Sequence, residues 1–503
     1  MTTRRRLNPL MACALAVIAG VAAVAAGGCH VTAAPAVSTF QNRLVRITPE
    51  IQRQAQINVL KSFAVAKERQ SMELAAEAGE KISPEYQRYF AAATNGNSKT
   101  ILAMFDSFKH RHRQYSNSTN APDPSLDTAY WQPVLELCLA YQMVAECEPK
   151  YTSLFANGII RSIPPGGIYF GGTDPGRGLP AAFCKNHAQG VPFFTLTQNA
   201  LADGAYLRYL RAMYGKSLYI PSDEDSQLCF NEYLYGAQRR LKERKLRPDE
   251  DVKMQANGQV RVSGVGAVMG INGLLVETIF DKNPGREFFI EESYPLDWMY
   301  PYLKPHGLIM QIQRRPMTAL PEQIVSDDRK YWQPLVDQMI GSWLRDDTLL
   351  VHVTEFSRKI YVEKDLTRFT GDPLFVHNED AARAFSKLRS AIAGLYAWRV
   401  GALINVPTPP EYLATDAAER ESMSAEADYA FRQAFALCPY SAEVAVRYTY
   451  FLAKQDRKAD ALMFAETAQR IQSSIGDADP KLNDLIDRLK ERTLIDPVVQ
   501  SAR

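Results

Sequence analysis

Between residues 160 and 316 the chain alternates between two hydrophobic periods, and this alternation restricts its fold more than any other feature. "GGIYFGG" is a short apolar run with turn residues on both sides, and "GLPAAFCKNH" follows it with the composition of a helix. "VPFFTLTQ" is a second strand-like run. "ADGAYLRYLRAMYG" then has helical spacing, with Asp203 placed as its N-cap. "EDSQLCFNEYLYGAQRRLKERKL" reads as a longer helix whose basic end suits the negative end of its dipole. "REFFIEES" is a third strand, "PLDWMYPYL" a helix and "GLIMQIQR" a fourth strand. Strands interleaved with helices predict a Rossmann-like, layered α/β domain with a mostly parallel sheet, here placed at 151–318.

At 503 residues the chain is too long for one ordinary core, and its flanks read as helices. In 29–150, "ITPEIQRQAQINVLKSFAVAKERQ" and "SKTILAMFDSFKHRHRQY" carry apolar residues at three and four spacing. His110 and His112 lie two apart, which turns them to different helix faces and suggests a solvated basic helix end. Residues 319–405 return to helix, and "NVPTPPEYL" reads as a linker. In 406–503, Ala427, Phe431, Ala434 and Pro439 match second-helix positions of a tetratricopeptide repeat. Counting on by 34 residues from Ala427 and Ala434 reaches Ala461 and Ala468. The first helix of each unit lacks the usual Trp and Gly, so a plain helical hairpin is the competing reading. "AYWQPVLEL" at 129 and "KYWQPLVDQ" at 330 both look like helix starts with Pro in the first turn.

The N-terminus places the chain in the cell. Arg4, Arg5 and Arg6 precede an apolar run from Leu10 to Ala26, and Gly27-Gly28-Cys29 follows. The small residues before Cys29 resemble a bacterial lipoprotein signal, although Ala26 stands where such signals usually have Leu. Residues 1–28 are then a lipoprotein-type signal peptide. Cys29 carries the lipid, and the mature protein sits on the periplasmic side of the envelope, membrane-linked through that anchor. Cleavage near Ala33-Ala34 would instead give a soluble periplasmic or secreted protein. Beyond Cys29 the cysteines are Cys138, Cys147, Cys184, Cys229 and Cys438, an odd set that leaves a free thiol unless copies pair covalently. Cys138 and Cys147 read either as a bridge around a helix end or as two buried thiols. Cys184 and His187 have metal-like spacing but no second pair, so no metal site is assigned. A net charge of +2 gives no reason to expect nucleic acid.

"GIYFGGTDPGRGLPAAF", 167–183, resembles a phosphate-binding loop only in its glycines. Gly171 and Gly176 have P-loop spacing, but Arg177 and Gly178 replace the Lys and the hydroxyl residue that reach phosphate and magnesium. Asp174 adds a negative charge. In "SGVGAVMGINGLL" the glycines miss the dinucleotide spacing and no clear strand precedes them, so the segment reads as an apolar helix. No cofactor is therefore expected. A geometric argument remains, because open parallel sheets bind ligands at the carboxyl ends of their strands. Asp174 and Arg177 follow the first strand, Asn199 and Asp203 the second, Glu291 and Glu292 the third. If those strands are parallel neighbours, these six residues gather on one rim with Tyr294 and Trp298 nearby, and suit a hydroxyl-rich ligand such as a glycan. The competing reading makes Asp174 and Asp203 turn and cap residues and pairs Arg177 locally.

"LFANGIIRSIPPGGIYFGGTDPGR" followed by "FFTLTQNALADGAYLRYL" resembles the extramembrane C-terminal region of an uncharacterised bacterial membrane-protein family similar to protein O-mannosyltransferases. "REFFIEESYPLDWMYPYLKPHGLIMQIQRRP" fits its closing strand-helix-strand, and tetratricopeptide-like helices follow there too. The resemblance covers roughly 150–475. Enzymes of that kind carry their catalytic acids between membrane spans that this chain lacks, so no catalytic residue is carried over. The resemblance implies an accessory domain linked to envelope glycan metabolism. Two functions follow: a binding or scaffold module for a glycan or protein, and a glycosyl-transferring or glycan-hydrolysing enzyme. The enzyme would need paired carboxylates such as Asp174 with Glu291 or Glu292. A nucleophilic Cys184 with His187 ranks last.

Overall fold

The computed structural model describes residues 48–112, 123, 126, 128–247, 249–255, 258–476 and 479–491. The signal segment and Cys29 lie outside these residues. The described residues fall in one compact unit beginning at Thr48.

Five helices come first: α1 (Pro49–Glu77), α2 (Pro84–Thr94), α3 (Ser98–Arg111), α4 (Trp131–Glu146) and α5 (Pro149–Ser162). Thr48, Ser83 and Asn97 each accept a backbone N–H in the first turn of the helix that follows. At the end of α3 His110 is solvated as expected, with its side chain 73% exposed, but His112 is buried and stacked on Trp131 at 3.8 Å. Its apolar edge and flat ring suit an aromatic neighbour better than water.

The sheet region follows: β1 (Ile168–Gly171), α6 (Asp174–Phe183), β2 (Phe194–Thr197), α7 (Gly204–Tyr214) and α8 (Asp223–Glu243). Then come β3 (Asp251–Met254), β4 (Val260–Ser263), α9 (Val265–Lys282), β5 (Phe288–Ile290), β6 (Leu303–His306) and β7 (Ile309–Ile312). Five strands form one sheet in the order β2-β1-β5-β7-β6. β1 pairs parallel with β2 and β5, while β7 runs antiparallel to both β5 and β6. The fold is thus mixed α/β, and the sheet is mixed where a mostly parallel one was expected. The discrepancy comes from β6, "LKPH", whose Lys, Pro and His hide a strand. The loop around Gly307 joins it to β7 as a hairpin. Every residue of β1, β2 and β5 is buried, as strands covered on both faces must be.

β3 and β4 form a separate hairpin over a small cluster of Tyr233, Ala237, Val252 and Ala267. A strand therefore does precede the apolar helix α9, contrary to expectation. "VRVS" is too short and too polar to register as one. Between them Gly264 holds φ +90, and a Cβ there would lie 2.4 Å from the Asp249 carbonyl oxygen.

The remaining helices are α10 (Glu322–Ile340), α11 (Leu350–Ser357), α12 (Pro373–Val376), α13 (Glu379–Arg399), α14 (Ala417–Leu437), α15 (Ala442–Lys454), α16 (Lys458–Ser474) and α17 (Pro480–Lys490). The two Tyr-Trp-Gln-Pro segments differ. Pro133 lies in the first turn of α4 as expected, but Pro334 falls inside α10, which starts at Glu322. The Pro-rich stretch after α13 packs down: the Trp398 indole donates to the Pro407 carbonyl and Tyr412 stacks on Trp398. One hydrophobic cluster runs from Leu60 in α1 to Leu489 in α17. No helix among the described residues is long and apolar enough to cross a membrane.

Candidate functional site at the carboxyl edge of the sheet

β2, β1 and β5 are parallel neighbours, so the segments after them do meet at one edge. The glycine-rich loop after β1 leads into α6 with Thr173 as N-cap, its hydroxyl accepting from Gly176 N at 3.1 Å. Such a loop turns several N–H groups toward one point at the positive end of a helix, which makes it a nest for an anion. The group that fills it is the chain's own Glu291 carboxyl. Its Oε2 accepts from Gly172 N and Thr173 N, both at 2.9 Å, and its Oε1 accepts from the Thr173 hydroxyl. The fit is close: a Cβ on Gly176 would lie 1.5 Å from Glu291 Oε2. Burial raises the Glu291 carboxyl above the ordinary range, and the three donated hydrogen bonds offset this only in part.

Asn199 joins this cluster, donating to Gly172 O at 3.3 Å. Beside it Gln198 donates to Tyr294 O at 3.0 Å and accepts from Ser293. Glu292 does not join. Successive strand residues point to opposite faces, and Glu292 accepts from Tyr300 Oη and Arg447 Nη2, each at 2.8 Å. Arg447 also lies 3.0 Å from Glu443, which accepts from Lys387. This buried network ties β5 to α13 and α15. Asp174 and Arg177 pair with each other at 2.6 Å on the first turn of α6. Asp203 caps α7 by accepting from Ala205 N at 2.9 Å. Trp298 donates to Gly273 O at 3.1 Å. The edge therefore gathers Glu291, Asn199 and their loop, and spends Asp174, Arg177, Asp203 and Glu292 elsewhere.

A second polar cluster lies one step along α6. Arg177 and Ala181 of α6, Gln132 and Glu136 of α4, His187 and the β2 threonines line a cavity of about 10 Å³, room for a water molecule. Lys67 of α1 is buried and ion-paired with Glu136; it also donates to Gln70 and Tyr209, both at 2.9 Å. Tyr209 Oη donates to Glu136 at 2.9 Å, and His187 Nε2 lies 3.3 Å from the same carboxylate. His187 Nδ1 is 3.2 Å from Tyr214 Oη. Burial opposes ionisation of Glu136, but the Lys67 and His187 charges hold its carboxyl well below the usual range. Burial, then Lys67, lowers His187, and Glu136 beside it offsets this only in part. Among the described residues, Thr195 Oγ1 and Arg177 Nε find no hydrogen-bond partner, and both face this cavity.

Sequence reasoning missed this cluster because its members come from helices spread between residues 67 and 214, with no local spacing to betray them. The one signal was Lys67 itself, set in the apolar stripe of α1 between Phe63 and Leu74. The cysteines Cys138, Cys147, Cys184, Cys229 and Cys438 are all free thiols. Burial pushes Cys184 up to about 12, so it is a protonated thiol at neutral pH rather than a nucleophile.

Comparison with protein-family models, with curated proteins and with solved structures finds no match.

Proposed function

We propose that this chain is an exported bacterial envelope protein, lipid-anchored through Cys29, that works as a binding or scaffold module. The observation that carries the reading is the fate of the edge carboxylates. Glu291 fills the loop where a phosphate would sit, Glu292 faces the other way into Arg447, and Asp174 is held by Arg177. A glycosyl-transferring pair needs two carboxylates facing one substrate, and these three face different partners. The tetratricopeptide-like reading of α14–α17 belongs to the same proposal. Ala427, Phe431, Ala434, Ala461 and Ala468 are all fully buried, which suits small residues that let helices approach closely. A protein ligand on these helices and a glycan at the sheet edge are the two ligand classes in view.

Radiolabelled palmitate should enter the chain and be lost in Cys29→Ser, with the protein moving from the membrane to the soluble fraction. Purified protein should then retain envelope glycan or a protein ligand without turning glycan over, and Asp174→Asn should leave that behaviour unchanged. Glycan cleavage or transfer that disappears in Asp174→Asn or Glu291→Gln, with circular dichroism unaltered, would replace this reading with the enzyme.

A further inference from the structure

Helix α1 is apolar on two sides. Its inner side packs Leu60, Phe63, Ala64 and Leu74 into the core. Its outer side carries Ile51, Asn58, Val65 and Met72, interleaved with Ala55, Ser62, Arg69 and Ala76, and all eight are exposed. Ile51, Val65 and Met72 are 47%, 58% and 53% exposed. Single exposed aliphatics are ordinary on a protein surface. These follow a strict alternation of four- and three-residue steps from Ile51 to Ala76, the period of a coiled-coil seam, over about 38 Å of helix.

We propose that this seam is a self-association surface on which two copies of the chain pair their α1 helices antiparallel. The side-chain volumes choose the direction. One set of seam positions holds Ile, Asn, Val and Met, and the other holds Ala, Ser, Arg and Ala. A parallel pair sets like against like, so large layers would alternate with nearly empty ones. An antiparallel pair with its twofold at the level of Phe63 and Ala64 sets Ile51 against Ala76, Met72 against Ala55 and Val65 against Ser62. Every apolar layer then has one large and one small side chain, and each occurs twice by symmetry. Asn58 meets Arg69, a polar layer of the kind that fixes register. Slipping one heptad either way sets Arg69 against Ile51 or Val65. A groove of about 390 Å³ between α1 and α2, lined by Met72, Ala75, Ala76, Ile82 and Phe90 among others, lies where Ile51 of the second copy arrives. A strip about 38 Å long and about 10 Å wide covers less than the roughly 800 Å² per copy of a stable dimer, so the association is weak and concentration-dependent.

Sedimentation equilibrium across the micromolar range tests this on the full chain in mild detergent and on the chain from Thr48, which is one compact unit. Both should show a monomer–dimer equilibrium. Val65→Glu or Met72→Glu should weaken it at least about tenfold with unaltered circular dichroism, since both side chains are exposed. Ser62→Cys with Val65→Cys should cross-link two copies on oxidation. A monomer at all concentrations, a dimer indifferent to Val65→Glu, cross-linking through Met72→Cys alone, or dimerisation only of the shortened chain would overturn the proposal.

Discussion

Glu291 and Glu136 both lie beside α6, and their surroundings push them in opposite directions. Gly176 touches Glu291, and the next residue, Arg177, lines the cavity beside Glu136. Glu291 is enclosed by N–H and O–H dipoles, which do not fully replace water, and its carboxyl is raised. Glu136 has two dipolar partners as well but adds the full charge of Lys67, and its carboxyl is lowered. Hydrogen bonds from the loop leave the Glu291 carboxyl easier to protonate than usual, whereas the paired charge of Lys67 makes Glu136 harder to protonate.

The largest expected effect comes from breaking the charged pair. Glu136→Gln leaves Lys67 buried without its counter-ion and should cost about 3–5 kcal/mol in urea unfolding. Replacing both by apolar residues of similar size should recover most of that loss. A single-site cost no greater than that of Glu291→Gln would dissolve the comparison. Next comes Gly176→Ala, which drives a methyl into the Glu291 carboxylate and should cost about 1–3 kcal/mol. Combining it with Glu291→Ala should restore part of the loss, and strict additivity would mean the two do not touch.

The pH dependence separates the two acids by sign. A carboxyl raised in the folded state binds protons there more readily than in the unfolded chain, so Glu291 weakens the fold as pH climbs through its folded value, above 4.5. A lowered carboxyl does the reverse. The contribution of Glu136 is present above the ordinary glutamate range and drains away as pH falls below 4.5. Comparing urea stabilities at pH 7 and in mild acid, Glu291→Gln should flatten a gain on acidification, and Glu136→Gln a loss. Like slopes for both variants would refute the assignment. The smallest effect belongs to Asp174→Asn. The Asp174 side chain is 62% exposed, and its pairing with Arg177 is worth within about 1 kcal/mol.

What could be read from the chain divides along the same line. The strands at "IYFG", "FTLT" and "FFI" were legible because buried parallel strands are continuous apolar runs between turn residues. Asp203 was legible as a cap because caps act on their own neighbours. "LKPH" was not, since a strand with Lys, Pro and His at three of its four positions looks like a loop until its hairpin partner is known. The edge residues were found as a group, but chemistry at a strand end depends on which face each residue takes. Composition does not say that Glu291 turns into the loop and Glu292 away from it. The Lys67–Glu136–His187 cluster lay beyond reach for a simpler reason: its residues are neighbours only after α1, α4 and the turn after α6 have packed.

The Arg447 network bears on how this protein can be handled. Glu292, Tyr300, Arg447, Glu443 and Lys387 form a clasp between the sheet and the C-terminal helices, and its central members are almost wholly out of water. Cutting the gene at the Pro-rich stretch near residue 405 would strand Glu292 on one fragment and Arg447 on the other. Neither half could then be studied as a faithful miniature of the whole. Dissection is better done by point substitution within the intact chain than by truncation.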